Sequence, residues 1–241
     1  MRLNAFLAKC GATSRRKSEE VILSGQVRVN GKIVLAPYFP VTPGEDVVEY
    51  EGKRLLPQPK SYLVMNKPRG VVCAVTDKYD PVVTDLLPER YRIVRVFPVG
   101  RLDRESEGLL LLTNDGTFAQ SVQHPSKGVT KEYEVLLNLE INDKQLARWR
   151  KGFEIEGRLV RPLVVEAIPE PGKPHGRWVR VTIGEGLKRE VRTMANQAGF
   201  SVLTLIRRRI GRLVLKELGL GHFLELSFPA LCSKIFEGGW V

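Results

Sequence analysis

The chain has 241 residues, 43% of them apolar and 27% charged, which suits a globular protein of one large domain or two smaller ones. A formal net charge of +11 points to a polyanionic partner, nucleic acid ahead of a membrane surface. No apolar run is long enough to span a bilayer, and MRLNAFLAKCG at the start lacks the long apolar core of a secretory signal. Cys10, Cys73 and Cys232 lie far apart with no CxxC pair, and His124, His175 and His222 are scattered. Neither a disulfide framework nor a metal site is expected, and the cysteines fit a reducing cytoplasm.

Residues 1–32 carry seven Lys or Arg against two Glu, a net of +5. Within them Leu3, Phe6 and Leu7 form a short helical stripe ended by Gly11. Ser14 caps a second predicted helix through Arg15, Arg16 and Lys17 to about Leu23, stopped at Gly25. In VRVNGKIV, residues 27–34, Val27 and Val29 alternate with Arg28 ahead of an Asn30-Gly31 hairpin turn. Two helices and a hairpin edged with arginine make a compact unit, predicted to end near residue 57. The stretch LLPQPK, with two prolines, reads as a linker.

Beyond it, Tyr62–Met65 reads as a strand entering a turn at Asn66–Gly70, with an apolar stretch at 71–75. Further strands are predicted at 93–97, 109–113, 132–137, 178–183 and 202–206. Helices are predicted at 117–122 with Thr117 as cap, at 143–151 ending at Gly152, and at 187–198. No regular strand–helix alternation appears, which argues for an α+β fold with a mixed, largely antiparallel sheet.

In the last helix Leu187, Val191, Met194 and Ala198 form one apolar stripe, and Arg192 borders it, placed to reach into a cleft. Gly184 and Gly186 lack the GxGxxG spacing of a dinucleotide fingerprint. Residues 185–217, including Arg207–Arg209, hold eight Lys or Arg against three acids, again +5. Asp103 stands in a Gly-Arg-Leu-Asp turn just before Leu109–Leu112, a run typical of a fully buried strand. A carboxylate beside a core is costly unless paired. Asp103 is therefore either a solvated turn residue bridged to Arg101 or Arg104, or a group set there for chemistry.

Read in order, SRRKSEEVILSGQVRVNGK, YLVMNKPRG, GRLDRESEGLLLLTNDG, HPSKGVTKEYEVLL, EGLKREVRTM and LIRRRIG resemble bacterial rRNA pseudouridine synthases of the RsuA and RluB type, which carry an S4 RNA-binding domain ahead of the catalytic domain. The match runs nearly end to end. Ser106 stands where the family more often has threonine, and Thr193 where a second basic residue usually follows Arg192. The tail LCSKIFEGGWV matches nothing in the pattern.

The resemblance implies an S4-like domain over 1–57 and a catalytic domain over 61–241, turning uridine into pseudouridine in structured rRNA without cofactor or metal. It implies Asp103 as the essential carboxylate, Arg192 as its cationic partner and Tyr133 as the aromatic residue on the uracil; read alone, Tyr133 is a strand residue packing on the sheet. It implies phosphate contacts from Arg15, Arg16, Lys17, Arg28, Arg101, Lys188, Arg189, Arg207 and Arg209, with the target base flipped out or unpaired. The large-subunit branch is favoured by SRRKSEEVILSGQVRVNG, REVR and LIRRRIG. MRLNAFLA and YLVMNKPRG lean the other way. A cytoplasmic monomer is expected. Two other classes stay open: an RNA-binding ribosome-assembly protein without catalysis, and an RNA N-glycosidase that would release free uracil.

Overall fold

The computed structural model describes residues 1–169 and 176–237. It divides into two compact units: Met1–Lys60 with Pro88–Val96, and Ser61–Leu87 with Phe97–Val241.

In the first unit, α1 (Leu3–Lys9) turns Leu3, Phe6 and Leu7 inward. The next helix, α2 (Arg15–Leu23), starts at Ser14, whose Oγ accepts the Lys17 N–H at 3.2 Å. Val21 and Ile22 form its buried side, while Arg15, Arg16 and Lys17 stay in solvent. β1 (Val27–Val29) and β2 (Lys32–Ile33) join through Asn30-Gly31, both at positive φ as a two-residue hairpin turn requires. β3 (Val48–Tyr50) and β4 (Lys53–Arg54) follow, giving an antiparallel sheet in the order β2-β1-β3-β4. Val27, Val29 and Val48 pack with the inward residues of both helices into one small core, and Arg28 points outward.

The second unit opens with β5 (Tyr62–Lys67), buried along its whole length. The strand predicted at 93–97 is not there. Residues 89–93 form α3 (Glu89–Ile93), which clusters with the first unit, and the strand begins at β6 (Phe97–Val99). Arg95 adopts φ +56° and turns the chain between them, so the β-branched residues that read as a strand serve a turn.

Next come β7 (Glu107–Thr113), α4 (Gly116–Gln123), β8 (Lys131–Leu137) and α5 (Asp143–Lys151). The cap of α4 is Asp115, which accepts the N–H groups of Thr117 and Phe118, in place of the predicted Thr117. A short hairpin of β9 (Phe153–Ile155) and β10 (Arg158–Val160) precedes β11 (Val164–Ala167) and β12 (Trp178–Ile183). α6 (Glu190–Gln197) is shorter than the predicted 187–198, because Arg189 sits left-handed at φ +55° and breaks the helix there. β13 (Val202–Ile210), β14 (Leu213–Val214), β15 (Phe223–Glu225) and α7 (Phe228–Ile235) complete the described chain.

The main sheet runs β11-β12-β8-β13-β7-β5-β15, with β14 beside β13 and β6 beside β7. Its pairings are antiparallel except β13 with β7, which is parallel, so the fold is α+β with a mixed, mostly antiparallel sheet. Leu109 and Leu111 enter a core with Tyr62, Phe118, Leu231 and Ile235, and Leu110 and Leu112 on the other face are equally buried. That two-sided burial is why four leucines run together. Gly108 lies opposite Arg207 in the parallel pair, at φ +105°, and a Cβ there would sit 2.4 Å from the Arg207 carbonyl oxygen. Only glycine lets these strands close.

No helix among the described residues is long and apolar enough to cross a membrane. His175 lies outside the described residues.

Candidate active site

The link between β6 and β7 carries Asp103, and buried cations hold it by its carbonyls. Lys67, fully buried at the end of β5, donates its Nζ to the carbonyl oxygens of Ser106 at 2.8 Å, Pro68 at 2.9 Å and Arg104 at 3.3 Å. Arg192 on α6 donates Nη2 to the Glu105 carbonyl and the Ser106 hydroxyl, both at 3.3 Å, and Nη1 to the Val202 carbonyl at 3.2 Å. Arg207 on β13 donates Nε to the Leu109 carbonyl at 2.7 Å and Nη1 to the Arg101 carbonyl at 3.5 Å. The Leu102 N–H points at Cys73 Sγ, 3.3 Å away. A turn bound from three sides has little freedom, and a reactive group on it is preorganised.

Asp103 itself, 30% exposed at its side chain, meets two guanidiniums at one oxygen. Oδ2 is 3.4 Å from Arg189 Nη1 and 3.5 Å from Arg192 Nε. Arg104 turns away to Asp80 at 3.1 Å, so the solvated-turn alternative does not describe the pairing of Asp103 seen here. Burial lowers the basicity of Arg192, and the charge of Asp103 opposes that loss.

The carboxylate opens into a cavity of about 320 Å³, lined among others by Arg101, Leu102, Tyr133, Lys131, Leu187 and Arg189. Tyr133 lies mid-strand in β8, opposite Val181 on one side and Arg207 on the other, with 8% of its surface exposed. Lys131, two residues earlier on the same strand, also faces the cavity. Burial first, then the charge of Arg207, shifts its ammonium toward easier deprotonation. Glu190, at the start of α6, accepts the Leu187 N–H at 2.9 Å, and burial raises its carboxyl above the ordinary carboxylate range.

Of the residues singled out from sequence, Asp103, Tyr133, Arg101, Arg189 and Arg207 line this cavity, and Arg192 reaches Asp103 from α6. Lys188 is exposed beside Arg189. Arg207 and Arg209, also expected at phosphates, make contacts within the protein. Arg207 is only 4% exposed and spends donors on the backbone flanking Asp103. Arg209 is tied to Glu132 at 2.8 Å and to the Gly211 carbonyl, although part of it remains open. Arg15, Arg16, Lys17 and Arg28 are all exposed on the first unit. Lys67, Lys131 and Glu190 escape sequence reasoning. The pattern puts Lys67 in a turn, and only its place between a buried strand and a proline hints at an interior role. Among the described residues no cluster of His, Cys, Asp and Glu has the makings of a metal site.

Comparison with known proteins shows the family of the chain. Residues 61–197 match the RNA pseudouridylate synthase family, and residues 1–47 match the S4 domain. A protein of Aquifex aeolicus (strain VF5) named as an uncharacterized RNA pseudouridine synthase is 36% identical, over 98% of this chain and 94% of its own. Ribosomal large subunit pseudouridine synthase B of Bacillus subtilis (strain 168) is also 36% identical, over 94% of this chain and 92% of its own. A solved structure described as a crystal structure of pseudouridylate synthase shares 27% identity at a TM-score of 0.66, covering 97% of this chain and 99% of that one. The chain belongs to the RNA pseudouridine synthase family. Members of that family are isomerases, and this one carries an S4 domain at its N-terminal end.

Proposed function

We propose that the protein isomerises one or a few uridines of structured ribosomal RNA to pseudouridine, with the large subunit as the favoured target. The observation that carries the reading is the carboxylate of Asp103, fixed on an immobilised turn and ion-paired to Arg189 and Arg192 at a cavity that also holds Tyr133. The kinship with a large-subunit synthase supports the choice of subunit.

In this reading the target nucleotide leaves its stack and enters the cavity, since a stacked base cannot reach Asp103. The bond from ribose C1′ to uracil N1 breaks, C5 takes the place of N1, the C5 proton leaves and N1 gains one. Nothing is oxidised or reduced, so the residues need only supply position, charge and proton transfer. Asp103 acts as nucleophile or charge partner while the glycosidic bond is broken. Arg192 pairs with that carboxylate and aims it. Tyr133 stacks on the uracil and assists proton transfer with its hydroxyl. Arg15, Arg16, Lys17 and Arg28 on the S4-like domain, with Arg101, Lys188 and Arg189 near the cavity, hold RNA phosphates. Arg207 and Arg209 are left out of that set. The protein works as a cytoplasmic monomer on this reading.

The test is to incubate the protein with rRNA lacking the modification and assay pseudouridine by mapping and free uracil by chromatography. Pseudouridine at discrete sites without free uracil is the expected result. Free uracil would make it an N-glycosidase. RNA binding with neither product would make it an assembly factor.

A further inference from the structure

Tyr79 is 83% exposed, the most exposed large apolar side chain among the described residues. Nothing in the fold of the second unit requires an aromatic ring there. Yet the loop that carries it is closely organised. At its root, Val72 bridges Val82, the Val83 N–H donates to the Val72 carbonyl at 3.0 Å, and the Thr84 hydroxyl donates to the Val75 carbonyl at 2.9 Å. Inside the loop, Asp77 Oδ1 accepts the N–H groups of Tyr79 at 2.9 Å and Asp80 at 3.0 Å. Those bonds hold the Asp77 carboxyl below its usual range. Asp80 then pairs with Arg104 Nη2 at 3.1 Å, and Arg104 also donates to the Gly70 carbonyl. Arg104 is the residue next to Asp103, so the loop is moored to the catalytic turn itself. Lys78 Nζ lies 5.1 Å from the centre of the Tyr79 ring.

A hydrogen-bonded loop presenting an exposed aromatic ring with an ammonium over it, on a protein of net charge +11, has the chemistry of a single-strand RNA contact: a π-face for a base and a cation for the adjoining phosphate. We infer that Tyr79 and Lys78 form a stacking platform for an unpaired nucleobase near the target uridine, and that the Asp80–Arg104 pair sets its position relative to Asp103. This rests on the reading of the protein as an enzyme acting on RNA. It adds a residue that chooses among RNA contexts by favouring targets with an unpaired neighbour. Stacking of this kind depends little on which base is present, so the selection is for strand state rather than sequence.

Two measurements on the same preparations test it: pseudouridine formation on rRNA, and binding of a short single-stranded RNA with one internal 2-aminopurine. Wild type should quench the 2-aminopurine on binding. Tyr79→Ala should lose most of the quenching and bind the RNA about tenfold more weakly. Tyr79→Phe, which keeps the π-face, should match wild type. At saturating rRNA Tyr79→Ala should turn over at the wild-type rate with a raised KM, because Tyr79 does not touch the reacting atoms. Equal quenching and equal affinity for Tyr79→Ala and wild type overturn the platform, whatever the activity, and would leave Tyr79 as a surface for some other macromolecule. Absence of pseudouridine from wild type overturns the enzymatic reading instead, and the two failures are thereby separate.

Discussion

Arg192 Nε lies 3.5 Å from Asp103 Oδ2, and the same guanidinium holds the Glu105 carbonyl and the Ser106 hydroxyl with Nη2. One side chain therefore contacts both the carboxylate and the backbone of the turn that carries it. Arg192 is nearly buried, so its desolvation is offset by that pairing and by the carbonyls around it.

Replacing Arg192 with glutamine should lower kcat on the order of a hundredfold, with rRNA affinity changed far less. Arg192→Lys should recover part of the loss, since an ammonium restores the charge but not the planar fork that spans carboxylate and carbonyl together. Single-turnover pseudouridine formation, with RNA binding measured alongside, checks this. Full turnover in Arg192→Gln removes the pairing from the mechanism.

Asp103→Asn should abolish pseudouridine formation and leave RNA binding near wild type. Asparagine is almost isosteric, and the turn is held by backbone carbonyls of its neighbours rather than by the Asp103 side chain. Asp103→Glu keeps the charge but moves it by about one methylene, and a misplacement of about 1 Å can cost about a hundredfold. It should be severely impaired as well. Substantial product from Asp103→Asn sinks the assignment.

The parts of this site legible in sequence are those whose signals are local. The leucine run marks a strand buried on both faces, and the Gly-Arg-Leu-Asp turn before it marks the carboxylate. The second unit hides more. Arg207 and Arg209, two apart on a strand, should point the same way, but a bulge between them breaks the alternation. Arg207 then turns inward to the Leu109 carbonyl, and Arg209 meets Glu132 on the neighbouring strand. Partners some 75 to 100 positions away leave no trace in spacing. Nor does spacing show that Ile93 ends α3 and that Val94 and Arg95 turn the chain away from it.

The first unit makes a prediction about salt. Arg15, Arg16 and Lys17 fill the first turn of α2, where the helix dipole favours acids, and no acid stands there. Placement against the dipole argues that these charges serve a ligand. Changing all three to glutamine should reduce the slope of log affinity against log salt by about 2–3, at roughly 0.7–0.9 for each phosphate no longer neutralised. Helix stability should hold or rise slightly. Substitution is a cleaner test than deletion of residues 1–60, because Pro88–Val96 clusters with that unit and deletion would leave that segment without the rest of it. An unchanged salt slope would falsify the phosphate role.

Glu190 gives the pH dependence. It is buried at the head of α6, and burial raises its carboxyl above the ordinary value of 4.5, with the Leu187 N–H and Lys131 opposing the rise. A folded-state value above the unfolded one means the native protein binds more protons than the unfolded chain between the two. The contribution of Glu190 to stability is then fully present below about pH 4.5 and is lost as pH rises through the folded value. Glutamine cannot ionise, and its amide oxygen can still accept the Leu187 N–H. Glu190→Gln should therefore melt with wild type in mild acid and above it near pH 8, by about 2–4 °C for each kcal/mol of relief. Calorimetric melting of both proteins across that range measures the difference. Melting curves separated by a constant offset at every pH would mean that Glu190 titrates alike in the folded and unfolded chains. Activity should be followed in parallel, because Glu190 lines the cavity. A variant that gains stability and loses turnover would place the strain of a buried carboxylate at the service of the site.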